Sequence, residues 1–174
     1  MNVRDLSRRL GRLKRRRAPE SPDPAIRAIR DLRRLTSGEQ RVALVELHNE
    51  ATGGAVVATI GDGIAWLMDW LAGPALAQAL AWIAAGDDGR GFRLLHLRHT
   101  FGGLASFEHL GRGDDDVGAT WRARAVAWKA ATKAALADPR SRAVFGRFVA
   151  AMKAVDPAHM KLSAHRRQQS GQAG

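Results

Sequence analysis

The chain has 174 residues, of which 45% are hydrophobic and 26% charged, an ordinary composition for one globular domain with its own core. The 28 Lys and Arg residues exceed the 17 Asp and Glu residues, so the formal net charge is +11. Because the sequence contains no cysteine, a disulfide framework, thiolate catalysis, iron–sulfur clusters and Cys-ligated zinc are excluded.

The first 19 residues hold the most uneven charge in the chain. They contain eight basic residues and one acidic residue, a balance of +7 that leaves +4 for the other 155. Val3, Leu6, Leu10 and Leu13 recur at spacings of three and four, which predicts a short amphipathic helix surrounded by arginine. Since an isolated basic block often serves as an interaction arm, we assign residues 1–19 as a basic amphipathic arm.

No apolar stretch follows this arm, so it does not have the pattern of a secretory signal, and we expect a cytoplasmic protein. An Arg-rich amphipathic segment also occurs in mitochondrial presequences, but the low serine content of this one disfavours that interpretation.

A Pro-rich linker, residues 20–24, is predicted to join the arm to a helical body over residues 25–156. Asp23 stands before Pro24, in the order typical of an N-cap and a first helical residue. A second helix start is predicted near residue 37, where Ser37 and Gln40 have the spacing of a capping box.

The segment from residue 41 to residue 60 is ambiguous. Its first half, 41–48, can be read as a helix or a strand, and its second half, 55–60, is β-branched after a Gly-Gly turn. We favour a helix for 41–48 because of the cap, and a β-hairpin near 41–60 is the alternative.

Residues 61–86 are nearly uncharged and long enough to cross a bilayer. Asp69 and the Gly73-Pro74 step argue against a span, because a central carboxylate is costly in lipid by roughly 2.5–3.5 kcal/mol and proline interrupts a helix. We predict instead two short core helices that meet at Gly73-Pro74, and no membrane span.

The rest of the body also has helical periodicity. Two short helices broken at Gly102-Gly103, a long helix over 120–137 and a last helix after Asp138-Pro139 are predicted, with polar loops at 86–91 and 111–118. Residues 157–174 are predicted to be a disordered polar tail. The expected fold class is therefore all-α, a compact bundle of about six short helices between arm and tail.

On the predicted 120–137 helix, Arg122, Lys129 and Lys133 fall on one stripe. A second stripe about 100° away contains Trp121 and Trp128. A basic ridge beside partly buried tryptophan is suited to a phosphate backbone, and the alternative is an ordinary solvated face beside a core face.

No catalytic or metal motif accompanies these features. His96 and His99 are two potential ligands where a metal site needs at least three, and the Gly-rich turns do not have the spacing of a phosphate-binding loop. We therefore expect no enzyme activity, no catalytic residue, no metal and no cofactor.

The leading hypothesis is a non-enzymatic accessory subunit that binds the DNA or RNA backbone within a larger nucleoprotein assembly. Phosphate neutralisation would use the arm and the basic stripe, which comprise Arg8, Arg9, Arg12, Lys14, Arg15, Arg16, Arg17, Arg122, Lys129 and Lys133. The alternative is a structural or assembly protein, such as a phage or mobile-element component, whose arm docks into an acidic groove on another protein subunit. Attachment of the arm to anionic lipid is disfavoured by its lack of aromatic residues.

Overall fold

The computed structural model describes residues 23–54 and 67–156, and the regular structure in both ranges is helical. These ranges contain eight helices: α1 (Pro24–Arg33), α2 (Ser37–Thr52), α3 (Met68–Ala72), α4 (Pro74–Ala84), α5 (Asp88–Phe101), α6 (Leu104–Leu110), α7 (Asp116–Ala137) and α8 (Pro139–Val155). The prediction of an all-α body is confirmed. The arm, most of the linker and the tail lie outside the described residues.

Two helices begin with an aspartate followed by a proline, as predicted. The Asp23 carboxylate accepts a hydrogen bond from the Ala25 amide at 2.8 Å, and Asp138 accepts one from the Ser141 amide at the same distance. Pro24 and Pro139 occupy the first helical positions, where a missing N–H leaves no bond unmade.

The capping box of α2 lies one residue before its predicted position. Thr36 is the N-cap, with an extended backbone, and its hydroxyl accepts from the Glu39 amide at 3.3 Å. The Glu39 carboxylate accepts from the Thr36 amide at 2.7 Å, and the bonds to Thr36 lower the pKa of that carboxyl. The predicted Ser37–Gln40 pair is therefore wrong, and the Gln40 amide nitrogen donates instead to the Leu32 carbonyl at 2.9 Å.

The hairpin alternative for 41–60 is excluded because residues 41–48 lie within α2. This helix buries Ala43, Leu44, Val45 and Leu47, and it ends at Gly53 in the left-handed region with φ +67°. Residues 55–60, the other half of the predicted hairpin, lie outside the described residues.

The apolar segment near the middle of the chain forms α3 and α4, which meet at Gly73-Pro74 as predicted. Their buried side chains include Leu71 and Leu76, and Leu67, the N-cap of α3, is buried with them; each is at most 2% exposed. Of the helices within 23–54 and 67–156, none is both long and apolar enough to cross a membrane.

Helix α5 lies at the centre of the core and packs against α1, α2 and α4. Gly91 allows the approach of α4, because a Cβ there would collide with the Ile83 side chain and lie 2.8 Å from the Ala79 carbonyl oxygen. The break at Gly102-Gly103 is confirmed, with α5 ending at Phe101 and α6 beginning at Leu104.

The long helix α7 begins at Asp116, four residues before the predicted start at 120. Asp115 is its N-cap and accepts from the Gly118 amide at 2.7 Å, so the acidic run starts the helix instead of forming only a loop. The 86–91 loop is similarly shorter than predicted, because Asp87 caps α5 and accepts from the Arg90 amide at 3.1 Å.

Candidate nucleic-acid interface

Charge is segregated within the described body. Residues 23–54 and 67–156 contain 17 basic and 14 acidic residues, an excess of only three positive charges. The α7–α8 region, 116–155, has eight basic and two acidic residues, so the rest of the described body has nine basic and twelve acidic. Basic character in the body is therefore a property of α7 and α8.

Two of the predicted residues on α7 lie together at an open cleft. Lys129 and Lys133 are one turn apart, and both side chains are exposed and line a cavity of about 550 Å³. The other residues that line the cleft are mainly apolar: Leu104, Trp128, Thr132, Leu136 and Ala137. The cleft therefore combines an apolar wall with two ammonium groups.

Trp128, which lines the cleft, also contacts the core. The Arg98 guanidinium carbon lies 3.2 Å from the centre of the Trp128 ring, and Phe107 meets the same ring edge-on at 5.7 Å. The hydroxyl oxygen of Thr132 is buried and has no hydrogen-bond partner among the described residues. Thr132 is thus a polar group with unused bonding capacity in the wall of the cleft.

The two lysines differ in their partners. The Lys129 ammonium lies 2.7 Å from a Glu108 carboxylate oxygen, with both side chains about half exposed. Lys133 forms no ion pair within the described ranges. A phosphate approaching the cleft would meet Lys133 directly and would compete with Glu108 for Lys129.

Arg122, the third predicted residue on α7, makes contacts within the fold. Its guanidinium donates to the Gly111 carbonyl at 2.8 Å and to the Gly113 carbonyl at 2.5 Å. Gly111 is the C-cap of α6, whose carbonyl has no helical partner, and Gly113 lies in the loop that follows. A phosphate at Arg122 would meet only the remaining N–H groups, and this contact stays a prediction.

Other arginines of the α7–α8 region connect it to the acidic part of the body. Arg124 lies 2.9 Å from Asp69 and over the Trp121 ring, and Arg147 lies 2.6 Å from Asp88. By contrast, Arg140 and Arg142 are exposed in the first turn of α8 and form no ion pair with any described residue. The arm residues Arg8, Arg9, Arg12, Lys14, Arg15, Arg16 and Arg17 lie outside the described residues.

Sequence patterns located the lysines and Trp128, but not Glu108 or the walls contributed by Leu104 and Leu136. Leu136 lies two turns after Trp128 on α7 and could have been added from helical periodicity. Leu104 and Glu108 come from α6, and only the packing of α6 against α7 brings them to the cleft.

The two histidines considered as metal ligands have different environments. His96 is buried, and burial, together with the positive charges of His99 and Arg33, lowers its pKa to about 4. His99 is exposed and meets the Phe148 ring edge-on. Within the described part of the chain, no group of three or more His, Asp and Glu side chains is placed to hold a metal ion.

Comparison of the chain with protein-family models, with curated proteins and with solved structures found no significant match.

Proposed function

We propose that this protein is a non-enzymatic accessory subunit that binds the backbone of DNA or RNA within a larger nucleoprotein assembly. The observation that carries the proposal is the segregation of charge. The first 19 residues carry +7, and within the described body the basic α7–α8 region contrasts with a remainder that is slightly acidic. Clustered Arg and Lys release condensed counterions when they neutralise phosphates, which is the main source of affinity in backbone binding. Base specificity is not part of the proposal.

The cleft on α7 would supply a second contact besides the arm. Lys129 and Lys133 would bind phosphates, while Trp128, Leu104 and Leu136 would cover part of an unstacked base or a sugar. This combination of a cationic rim with an apolar wall supports contact with a single strand or a strand end at the cleft. The arm would contact duplex or single strand alike.

Binding of fluorescent 30-nucleotide DNA and RNA, single-stranded and duplex, measured by fluorescence anisotropy tests the role of the arm. Replacement of the seven arm cations by alanine is expected to weaken binding by about 100-fold or more at low salt, because about seven phosphate contacts are lost. Circular dichroism of the variant should match the wild type, since the body supplies the described helices. Undiminished affinity would remove the arm from the proposal.

The role of the cleft is tested in the full chain with variants of equal charge change. The pair Lys129→Gln and Lys133→Gln should weaken single-strand binding by about tenfold. The matched pair Arg27→Gln and Arg41→Gln removes two exposed charges on α1 and α2 and should change it by less than about twofold.

Glu108→Gln should have the opposite effect, because it removes the carboxylate that pairs with Lys129 at 2.7 Å. Its affinity for single strands should rise by about twofold. Equal losses in the two double variants, or weaker binding by Glu108→Gln, would show that the cleft is not a contact.

A protein–protein assembly role is the second candidate, favoured by exposed apolar side chains on α7. Val117, Val126 and Leu136 are 62%, 67% and 43% exposed. Nuclease treatment during purification separates the candidates: a complex held by nucleic acid dissolves, whereas one held by another protein subunit stays intact.

A further inference from the structure

A second cavity lies where α1, α2, α5 and α8 meet, separate from the cleft on α7. It has a volume of about 370 Å³, within the range of pockets that hold small molecules. The residues that line it are mostly polar: Arg33, Gln40, His96, His99, Thr100 and Met152.

His96 is the least expected of these residues. It is only 5% exposed, and its Nδ1 is buried without a hydrogen-bond partner in the described ranges. An unpartnered buried nitrogen is unfavourable, so the His96 ring has hydrogen-bonding capacity that the described residues do not use. The ring is neutral at pH 7, so it provides one N–H donor and one lone pair.

Arg33 supplies the fixed positive charge of the cavity wall, and no carboxylate lines the cavity, so the wall favours an anionic ligand. One guanidinium nitrogen of Arg33 lies 2.5 Å from an Asp156 carboxylate oxygen. The other N–H groups of the guanidinium remain for a ligand. The donors of Arg33 and His96 come from α1 and α5, so they can approach an anion from two sides.

Two further side chains provide acceptors. The Gln40 amide nitrogen is bound to the Leu32 carbonyl, and the Thr100 hydroxyl donates to the His96 carbonyl at 3.0 Å. The Gln40 amide oxygen and the lone pairs of Thr100 can therefore accept hydrogen bonds from ligand hydroxyl groups, and Met152 adds an apolar surface.

We propose that this cavity is a binding site for a small organic phosphate monoester, with Arg33 binding the phosphate and His96 donating to or accepting from the ligand. A terminal phosphate has three acceptor oxygens, which match the remaining N–H groups of Arg33 and the N–H group of the His96 ring. The phosphate could belong to a free nucleotide or to the 5′ end of a strand. The site does not depend on the proposed backbone binding.

The test is a titration of the full chain with adenosine 5′-monophosphate. Isothermal calorimetry measures the affinity, and NMR locates the residues that respond. We expect saturable binding that shifts the signals of α1 and α5. Arg33→Gln should weaken it at least tenfold. Arg34→Gln, the neighbouring exposed arginine that does not line the cavity, should change it less than twofold.

Two further variants distinguish binding from folding. Asp156→Asn should tighten binding, because it releases the Arg33 guanidinium from its carboxylate. His96→Leu should weaken binding more than His96→Gln, which keeps a hydrogen-bonding group, with thermal melts confirming that both are folded. The seven-alanine arm variant should bind adenosine 5′-monophosphate as the wild type does.

A 5′-phosphorylated and a 5′-hydroxyl tetranucleotide identify the source of the phosphate. If the phosphorylated strand binds more tightly than adenosine 5′-monophosphate and Arg33→Gln removes this advantage, the site is assigned to strand ends. If adenosine 5′-monophosphate binds more tightly than the strand, the site is assigned to free nucleotides. The proposal would be overturned if neither adenosine 5′-monophosphate nor the phosphorylated strand bound saturably. It would also be overturned if Arg33→Gln and Arg34→Gln weakened binding equally.

Discussion

Arg98 is the residue whose environment departs most from that of an ordinary arginine. It is 4% exposed, donates to the Leu71 carbonyl at 2.8 Å and to the Ala72 carbonyl at 3.1 Å, and covers the Trp128 ring. Burial lowers the pKa of Arg98 to about 9, so it stays protonated at pH 7. Since Leu71 and Ala72 end α3, this guanidinium supplies the partners that the last turn of the helix lacks.

Replacing Arg98 by lysine should lower the free energy of unfolding by about 2 kcal/mol, because a point charge cannot bind both carbonyls and stack on the ring together. Arg93→Lys is the matched control on the same helix, and it should change the free energy by less than about 0.5 kcal/mol. Urea unfolding at pH 7 measures both variants. Equal stability of the two variants would show that the hydrogen bonds from the Arg98 guanidinium to the end of α3 do not stabilise the fold.

His96 should make the fold sensitive to mild acid. Its pKa is about 4 in the folded protein and 6.5 by its ordinary value, so the unfolded chain binds more protons between these two pH values. The free energy of unfolding therefore falls as the pH drops from 6.5 to 4, by about 3 kcal/mol for this group alone. Above pH 6.5 the contribution is constant.

His96→Gln should lose this part of the pH dependence, and urea unfolding at pH 7, 5.5 and 4 measures it. The wild type should lose stability relative to the variant as the pH falls. His109→Gln replaces an exposed histidine and should follow the wild type. Parallel curves for wild type and His96→Gln would contradict the assigned environment.

At the scale of the helices, capping residues, prolines and glycines in the sequence predicted most of the helix boundaries in the body. The Asp23-Pro24 and Asp138-Pro139 steps define the starts of α1 and α8. Their capping hydrogen bonds join residues only two or three positions apart, so the residue pattern of the sequence predicts them. The errors were of register and extent: Thr36 caps α2 instead of Ser37, and α7 starts at Asp116. In both places several adjacent residues can cap, and the packing of the helix decides among them.

Replacing either of two helical glycines by alanine should change the stability of the fold in opposite directions. Gly91→Ala should destabilise the fold by about 1–3 kcal/mol, because its Cβ would collide with Ile83 where α4 and α5 meet. Gly146→Ala on α8 has no atom within 4 Å of the added Cβ and should stabilise it by up to about 1 kcal/mol. Thermal unfolding of the two variants measures the difference. Stabilisation by Gly91→Ala would contradict the close approach of α4 and α5.

At the scale of the whole molecule, the sequence predicted where positive charge accumulates but not what each cation contacts. Arg122 and Lys129 belong to one stripe on α7, yet Arg122 binds the carbonyls of Gly111 and Gly113, and Lys129 pairs with Glu108. Periodicity defines the stripe, whereas the partners come from α6 and the loop after it. Only the tertiary fold separates cations that hold helices together from those that can meet a ligand.

The cavity with His96 could not be predicted for the same reason. Its walls come from four helices, and neither Arg33 nor Gln40 is near His96 in the sequence. The pair His96 and His99 was visible as a pattern, but the burial of one ring and the exposure of the other were not.

The salt dependence of duplex DNA binding tests the central claim most directly. If about seven arm cations meet phosphates, a plot of log K against log salt concentration should have a slope near −6 for the wild type, by the counterion-release rule of roughly −0.9 per contact. The seven-alanine variant should give a slope between about 0 and −2, reflecting the exposed cations of the α7–α8 region alone. A flat response of the wild type, or the same steep slope in the variant, would contradict the account.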